Sequence, residues 1–433
     1  MLGMNRKLEQ LEKEGKVISV GLIGAGQMGR GMISQIEGMK GMKVVITADI
    51  QLDNVLHGYE AANVPKDQVV EVKSKEEAEE QLAKGKYAAA AQANLVYECK
   101  QVDVVVDATG VPDIGAEIAW NSIQNNKHIV MLNVEADVTV GHYLYEEAAK
   151  KGVVYTGSAG DEPGAVMELH DFAEALGFDI VALGKGKNNP LNIASNPTVT
   201  EEEAKRKGAS PKMIASFQDG TKTMVEMNCV ANATGFIPDK PGMHGYSGSV
   251  KELPSIFQTK ENGGKIEKHK IVDYINGVAP GVFAIITSNK QEVHEEMKYL
   301  SMGDGPHYVL YRPYHLTSLE TPLSVAKAYF DQEPTIAPYK GLIAETVAVA
   351  KEDLEEGNYL DGIGGYTVYG KIYEYKEAEE LQALPIGLVN KQVKLKRSIP
   401  KGEVITYKDV ELEGESFIWE LRKSQDERTQ VKS

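Results

Sequence analysis

Two lysines, Lys185 and Lys187, stand one residue apart just after the apolar run Ile180 to Leu183. Such a run reads as a strand, which delivers Gly184-Lys185-Gly186-Lys187-Asn188-Asn189-Pro190 to a loop. An ammonium beside a carbonyl oxygen stabilises the alkoxide that forms on reduction and can supply its proton. Burial that lowers a lysine's pKa suits it to that task. Separated by one glycine, Lys185 and Lys187 can face one shared anionic group, and Asn188 and Asn189 add neutral donors and acceptors for a substrate. Solvated surface lysines are the plainer alternative.

A second polar cluster runs from Ser216 to Asn228. With Asp219 as the cap of a helix, Asp219, Lys222 and Glu226 fall on one face, so Lys222 with Asp219 can assist proton transfer while Glu226 and Asn228 contact substrate. An exposed ladder of small energetic value is the competing reading. Upstream, Asp161 and Glu162 lie in a glycine-rich stretch. They can bind a substrate hydroxyl, a water or a divalent cation, or cap a helix that Pro163 starts and whose apolar face is Val166, Leu169, Phe172, Ala173 and Leu176. Downstream, His307, Arg312 and His315 sit among tyrosines, either to bind a phosphate or carboxylate or as packed structural residues. No HExxH or other close metal-ligand spacing occurs among the nine histidines, and the identity of any metal stays unknown.

These side chains need a scaffold, and the N-terminal third supplies its signal. The β-branched run Val17 to Ile23 ends in Gly24-Ala25-Gly26-Gln27-Met28-Gly29, and helical periodicity follows from Arg30 to Met39. Strand, glycine turn and helix in this order cradle a dinucleotide: Gly24 permits the turn, Gly26 admits the pyrophosphate and Gly29 lets the helix pack closely. Gln27 and Met28 belong to the same loop, where helix N–H groups favour an anion. A second strand, Lys43 to Ala48, ends at Asp49, placed to accept hydrogen bonds from the adenosine ribose; a turn or capping role is the alternative. Further strands at Val102 to Val106 and Ile129 to Leu132 lead to Thr109 and Gly110 and to Asn133 and Glu135, at strand ends where a cofactor lies. Asp49 repels a ribose phosphate and no arginine follows it, so the local chemistry favours NAD over NADP.

The formal charge of −16 argues against nucleic acid as a partner, since backbone binding rests on clustered Lys and Arg. No segment approaches the roughly 18 apolar residues of a membrane span, and residues 1–16 lack the pattern of a secretory signal. Two cysteines, Cys99 and Cys229, cannot form a multi-cysteine metal site and point to a reducing cytoplasm.

Near the C-terminus an internal repeat appears: Lys351 to Leu360 and Lys396 to Ile405 share the spacing lysine, apolar residue, glycine, apolar pair. Two copies predict a small pseudo-symmetric β-rich unit. The tail from Arg422 is polar and reads as frayed.

Taken together these motifs resemble the homoserine-dehydrogenase-like oxidoreductases that carry a C-terminal SAF domain, some of them similar to deoxyxylulose-phosphate reductoisomerase in activity. The resemblance spans the chain and rests on the glycine motif, Asn133-Val134-Glu135-Ala136-Asp137, Gly160 to Gly164, Gly184 to Pro190, Asp219 to Asn228 and the two repeats. It implies an α/β fold: a Rossmann doubly wound parallel sheet over 1–160, an α/β substrate and dimerisation domain over 161–335 that returns to the first near 315–335, a SAF-like domain over 336–421 and a polar tail over 422–433. It also implies a homo-oligomer, dimer or tetramer, and for reductoisomerase-like members NADPH and a divalent cation. Val134 departs from the Asn-Lys pair of homoserine dehydrogenases.

The expected function is therefore NAD(P)-dependent hydride transfer to or from a small polyhydroxylated or phosphorylated carbonyl or alcohol. Lys185 and Lys187 would bind the oxygen or anion, Lys222 and Asp219 would move the proton, and Glu162 would orient the substrate. Homoserine dehydrogenase activity is one alternative. A regulatory protein that senses NAD is another, of a different class.

Overall fold

The computed structural model describes residues 3–432. The chain divides into two compact units: residues 3–164, 316–337 and 416–432 form the first, and residues 165–315 and 338–415 the second.

The first unit is built on seven parallel strands: β1 (Ile18–Ile23), β2 (Met42–Ala48), β3 (Val69–Val72), β4 (Tyr87–Ala90), β5 (Val104–Asp107), β6 (His128–Met131) and β7 (Tyr155–Gly157). Their order is β3-β4-β2-β1-β5-β6-β7. The chain reverses direction across the sheet between β1 and β5, the switch point at which doubly wound sheets bind ligands. The strands are apolar runs because both faces are covered; Val20, Leu22, Val44 and Val104 pack against Met32, Ile33 and Ile36 of the Gln27–Glu37 helix.

The last stretch of the chain returns to this unit as a helix, Phe417–Lys432, contrary to the expectation of a frayed tail. Its anchor is polar. Thr139, in the Val134–Lys151 helix, offers its carbonyl to the side chains of Arg422 (3.2 Å) and Gln425 (3.1 Å), while the Tyr143 N–H donates to the Gln425 amide oxygen at 3.0 Å. Gln425 thus bonds both the N–H and the carbonyl of a pair four residues apart in that helix. Only Ser433 of the expected tail lies outside the described residues.

The second unit holds a six-stranded mixed sheet. β8 (Asp179–Lys187) lies at its centre, with β9 (Ile237–Pro238), β10 (Tyr246–Ser247), β11 (Ile271–Asn276), β12 (Val282–Thr287) and β13 (Tyr308–Arg312). β8 is parallel to β11 and antiparallel to β12, which pairs antiparallel with β13. One face packs Leu183, Val272, Tyr274 and Val282 against Met224, Met227 and Val230 of the Thr221–Thr234 helix. The helix Glu162–Ala175 buries Val166 and Ala173, but Phe172 and Leu176, expected on its apolar face, are exposed.

The remaining strands, β14 (Ala344–Ala350) with β15 (Val368–Glu374) and β16 (Val393–Leu395) with β17 (Val410–Leu412), form two antiparallel pairs. They group with the second unit. The two repeat copies bond to one another at matching positions. Leu354 and Ile399 exchange N–H···O bonds of 2.8 Å each; Gly357 donates to Leu395 as Gly402 donates to Ala350, and Leu360 to Val393 as Ile405 to Ala348. Side chains follow the same pattern, with Glu356 N–H on Ser398 Oγ and Lys401 N–H on Asp353 Oδ1. Among the described residues no helix is long and apolar enough to cross a membrane.

Candidate active site

In the first unit the glycine loop is shaped by close approaches. Gly24 has φ +100°, and a Cβ there would lie 2.7 Å from the Ala108 carbonyl; one on Gly29 would lie 2.0 Å from the Gly24 oxygen. Only glycine lets β1, the Asp107–Thr109 segment and the Gln27–Glu37 helix meet so closely. Gly26 differs: a Cβ would meet nothing within 4 Å, and Gly26 and Gln27 are exposed, with Met28 half-buried. No side chain caps the first N–H groups of the helix, which suits a diphosphate.

Asp49 is oriented by main chain on both sides, accepting from Ala25 N–H (2.8 Å) and Gln51 N–H (2.8 Å). Arg30 donates to the Ala25 carbonyl at 3.1 Å, so it braces the loop. At the end of β5 the fully buried Asp107 accepts from Thr109 N–H (2.9 Å) and Oγ (2.7 Å), and burial raises its pKa. Thr109 is thereby fixed, and Gly110 follows at φ +65° with open space beside it. Asn133 caps the Val134–Lys151 helix through Ala136 N–H and donates to the Val111 carbonyl at 2.9 Å. Both ends of its amide hold the protein together. Glu135 is buried in the first turn of the same helix. The sequence places Asp107 in this loop at a strand end, without giving it a role of its own.

In the second unit Lys185 and Lys187 lie on the face of β8 that looks toward the Thr221–Thr234 helix. The glycines between them have a packing reason. A Cβ at Gly184 would lie 2.3 Å from the Asp273 oxygen, and one at Gly186 about 2.3 Å from Ala279 N. The opposite face is thus pressed by backbone, and the lysines alone carry side chains. Both are 6% exposed. Lys185 forms an ion pair with the buried Glu226, and Lys187 donates to the Phe217 carbonyl at 2.6 Å. Burial, and next the charge of Lys185, lowers the Lys187 pKa to about 8.

Asp219 departs from the expected helix face. It ends the Pro211–Gln218 helix, and the following helix begins at Thr221, whose N–H it accepts at 2.8 Å. Its carboxylate is paired with Lys351 at 2.7 Å. Lys351 was missed because 132 residues separate it from Asp219 and nothing local marks it. Lys222 is half-exposed in the first turn, four residues from Glu226. Asn228 is fully buried against Thr346. Asn188 is exposed and Asn189 half-buried where β8 ends. Asp161 and Glu162 are half-buried at the start of the Glu162–Ala175 helix.

The aromatic and basic segment splits. Arg312 shares a register row with Val282 and Lys185, and bonds Glu168 at 3.0 Å. His307 precedes Tyr308, which aligns with Ile286 and Ile180, so it lies at the other end of the sheet, roughly 16 Å away at the usual strand rise. There it packs against His269 with ring centroids 5.4 Å apart. His307 thus stands apart from the row that holds Arg312 and Lys185. His315 is half-buried three residues beyond β13.

Comparison with known proteins fits this division of labour. The family model described as homoserine dehydrogenase, NAD binding domain, matches residues 24–156. The model described as oxidoreductase DRL, catalytic domain, matches residues 160–321. No curated protein matches the chain. Similar solved structures include a probable dehydrogenase from Thermotoga maritima, 12% identical over 75% of this chain and 92% of that one, TM-score 0.42. Another is scyllo-inositol dehydrogenase from Lactobacillus casei, 11% identical over 75% and 93%, TM-score 0.41. With an NAD-binding match on one stretch and an oxidoreductase catalytic match on the next, this chain is an NAD(P)-dependent oxidoreductase.

Proposed function

We propose that the chain catalyses reversible reduction of a small polyhydroxylated or phosphorylated carbonyl compound, with NAD as the preferred coenzyme and Lys187 as the proton donor. The observation that carries this reading is the buried Lys187 ammonium, lowered to about 8 and held in place by the Phe217 carbonyl. A group that titrates near neutrality can give a proton in one direction and take it back in the other.

Bound nicotinamide supplies the hydride that reaches the carbonyl carbon. As electrons move onto the carbonyl oxygen, Lys187 stabilises the growing negative charge and passes it a proton, leaving a neutral amine and an alcohol. Glu226 holds Lys185 in place through a buried ion pair, and the fixed Lys185 side chain orients the oxygen or an adjacent anionic group. Gly26 and the uncapped first turn of the Gln27–Glu37 helix suit the coenzyme diphosphate. Asp49, with both oxygens oriented by N–H groups, suits a free ribose diol and opposes a 2′-phosphate. Asn188 and Asn189, where β8 ends, would meet substrate hydroxyls.

The test is purified protein with NADH or NADPH against a panel of sugars, tetroses, sugar phosphates and aspartate semialdehyde. Coenzyme oxidation with a sugar or sugar phosphate supports the reading. Turnover confined to aspartate semialdehyde would replace it with homoserine dehydrogenase.

A further inference from the structure

Lys351 has no part in the chemistry proposed above, yet its side chain is 3% exposed. Three oxygens surround its ammonium: the Asp219 carboxylate at 2.7 Å, the Ser195 carbonyl at 2.7 Å and the Gly365 carbonyl at 2.8 Å. Its counterpart in the other repeat copy, Lys396, is exposed. The main-chain bonds around the two lysines match one for one, so the repeat itself does not require an inward lysine. Nor does stability: a buried ion pair is often no better than well-packed apolar residues, because both charges must first leave water.

What the pair touches gives it a use. Asp219 holds the first N–H of the helix that carries Glu226, and Phe217, whose carbonyl grips Lys187, lies two residues before it. The same C-terminal region braces this helix twice more. Gly370 N–H donates to Thr221 Oγ at 2.8 Å, and Asn232 Oδ1 accepts from Ile343 and Ala344 N–H at 2.9 and 3.0 Å.

We propose that Lys351 is a positioning residue for the substrate site: through Asp219 it ties the C-terminal repeat to the turn that holds Lys187, and it cancels the Asp219 charge there. The proposal rests on the reading of Lys187 as proton donor. The charges facing Lys187 are Lys185 on its own strand, Glu226 on the Thr221–Thr234 helix, and Asp219 in the turn, with Lys351 behind it. Burial is the largest cause of the lowered Lys187 pKa and the Lys185 charge the next, while the Asp219 and Glu226 carboxylates oppose both; Lys351 is placed to offset the Asp219 charge. Without Lys351, the bare carboxylate would hold the Lys187 proton more tightly; without Asp219, the bare ammonium would loosen it.

The experiment needs no substrate. Full-length protein is acetylated competitively with acetic anhydride across a pH series, and the Lys187 peptide is followed by mass spectrometry. Wild type should show an inflection near 8. Lys351→Met should move it up by about one pH unit and Asp219→Asn down by a similar amount, while Lys351→Met/Asp219→Asn returns it close to wild type. Opposite signs cannot come from mere loosening of the fold. Unmoved inflections, or shifts of one sign in both single variants, would overturn the proposal. If Lys351→Met does not fold, Asp219→Asn decides alone, and absence of a downward shift overturns it. The parent reading is checked separately by coenzyme-linked turnover of Lys187→Met. Lost turnover there with unmoved inflections would keep the role of Lys187 and remove that of Lys351.

Discussion

The Lys187 ammonium lies 2.6 Å from the Phe217 carbonyl oxygen, while Lys185, two residues earlier on the same strand face, is spent on Glu226. Two lysines of one motif thus have different partners: one is paired with a carboxylate, the other rests on a carbonyl and is poised to exchange a proton.

This asymmetry sets a pH dependence with a sign for each direction. Lys187 is protonated below about 8 and neutral above it. Carbonyl reduction, which needs the acid, should therefore fall as pH rises through that value, and alcohol oxidation, which needs the base, should rise through it. Rates of kcat/KM in both directions from pH 6 to about 10 check this. Parallel profiles in the two directions would rule out Lys187 as the group responsible. Stability follows the same group with its own sign. A lysine whose folded pKa lies below its unfolded value binds more protons when unfolded, so stability should increase between about 8 and the ordinary lysine value of 10.5.

Coenzyme choice should turn on Asp49, whose carboxylate is aimed by Ala25 and Gln51 N–H. Asp49→Ser should weaken NADH binding on the order of 10-fold, about 1.4 kcal/mol, and narrow the gap to NADPH. Calorimetric titration of both coenzymes measures it. An unchanged ratio of affinities would remove Asp49 from coenzyme recognition.

The C-terminal helix should contribute to stability through one amide. Gln425→Ala removes the side chain that donates to the Thr139 carbonyl and accepts from the Tyr143 N–H. A loss of about 1–3 kcal/mol in denaturant unfolding is expected from the buried hydrogen bonds removed. A midpoint equal to wild type would mean that these bonds add nothing to stability.

The glycine loop, Asp49 and the strands β1, β2, β5 and β6 were legible because each is a β-branched or apolar run ended by residues with a conformational purpose. β4 was not. Tyr87-Ala88-Ala89-Ala90 has the composition of a helix, and it becomes a strand because β2 and β3 offer hydrogen bonds on both edges while its alanines are buried. Residues 422–432 were read as a tail because their side chains are polar; the partner of Arg422, the Thr139 carbonyl, lies nearly three hundred residues away. In the substrate region the alternation of glycine and lysine was visible, whereas the reason for the glycines, backbone from Asp273 and Ala279 pressed on the far face, was not. Asp219 looked like a helix residue beside Lys222 until Lys351 appeared as its partner. The repeat was visible as spacing alone, and the bond-for-bond match of its copies needed the fold.

The most direct test of the central claim is the turnover of Lys187→Met with a substrate found by the coenzyme-linked panel. Loss of at least about 100-fold in kcat is predicted, with a melting temperature equal to or above wild type, since a buried charge is replaced by an apolar side chain of similar length. Turnover close to wild type in a folded Lys187→Met protein would contradict the account.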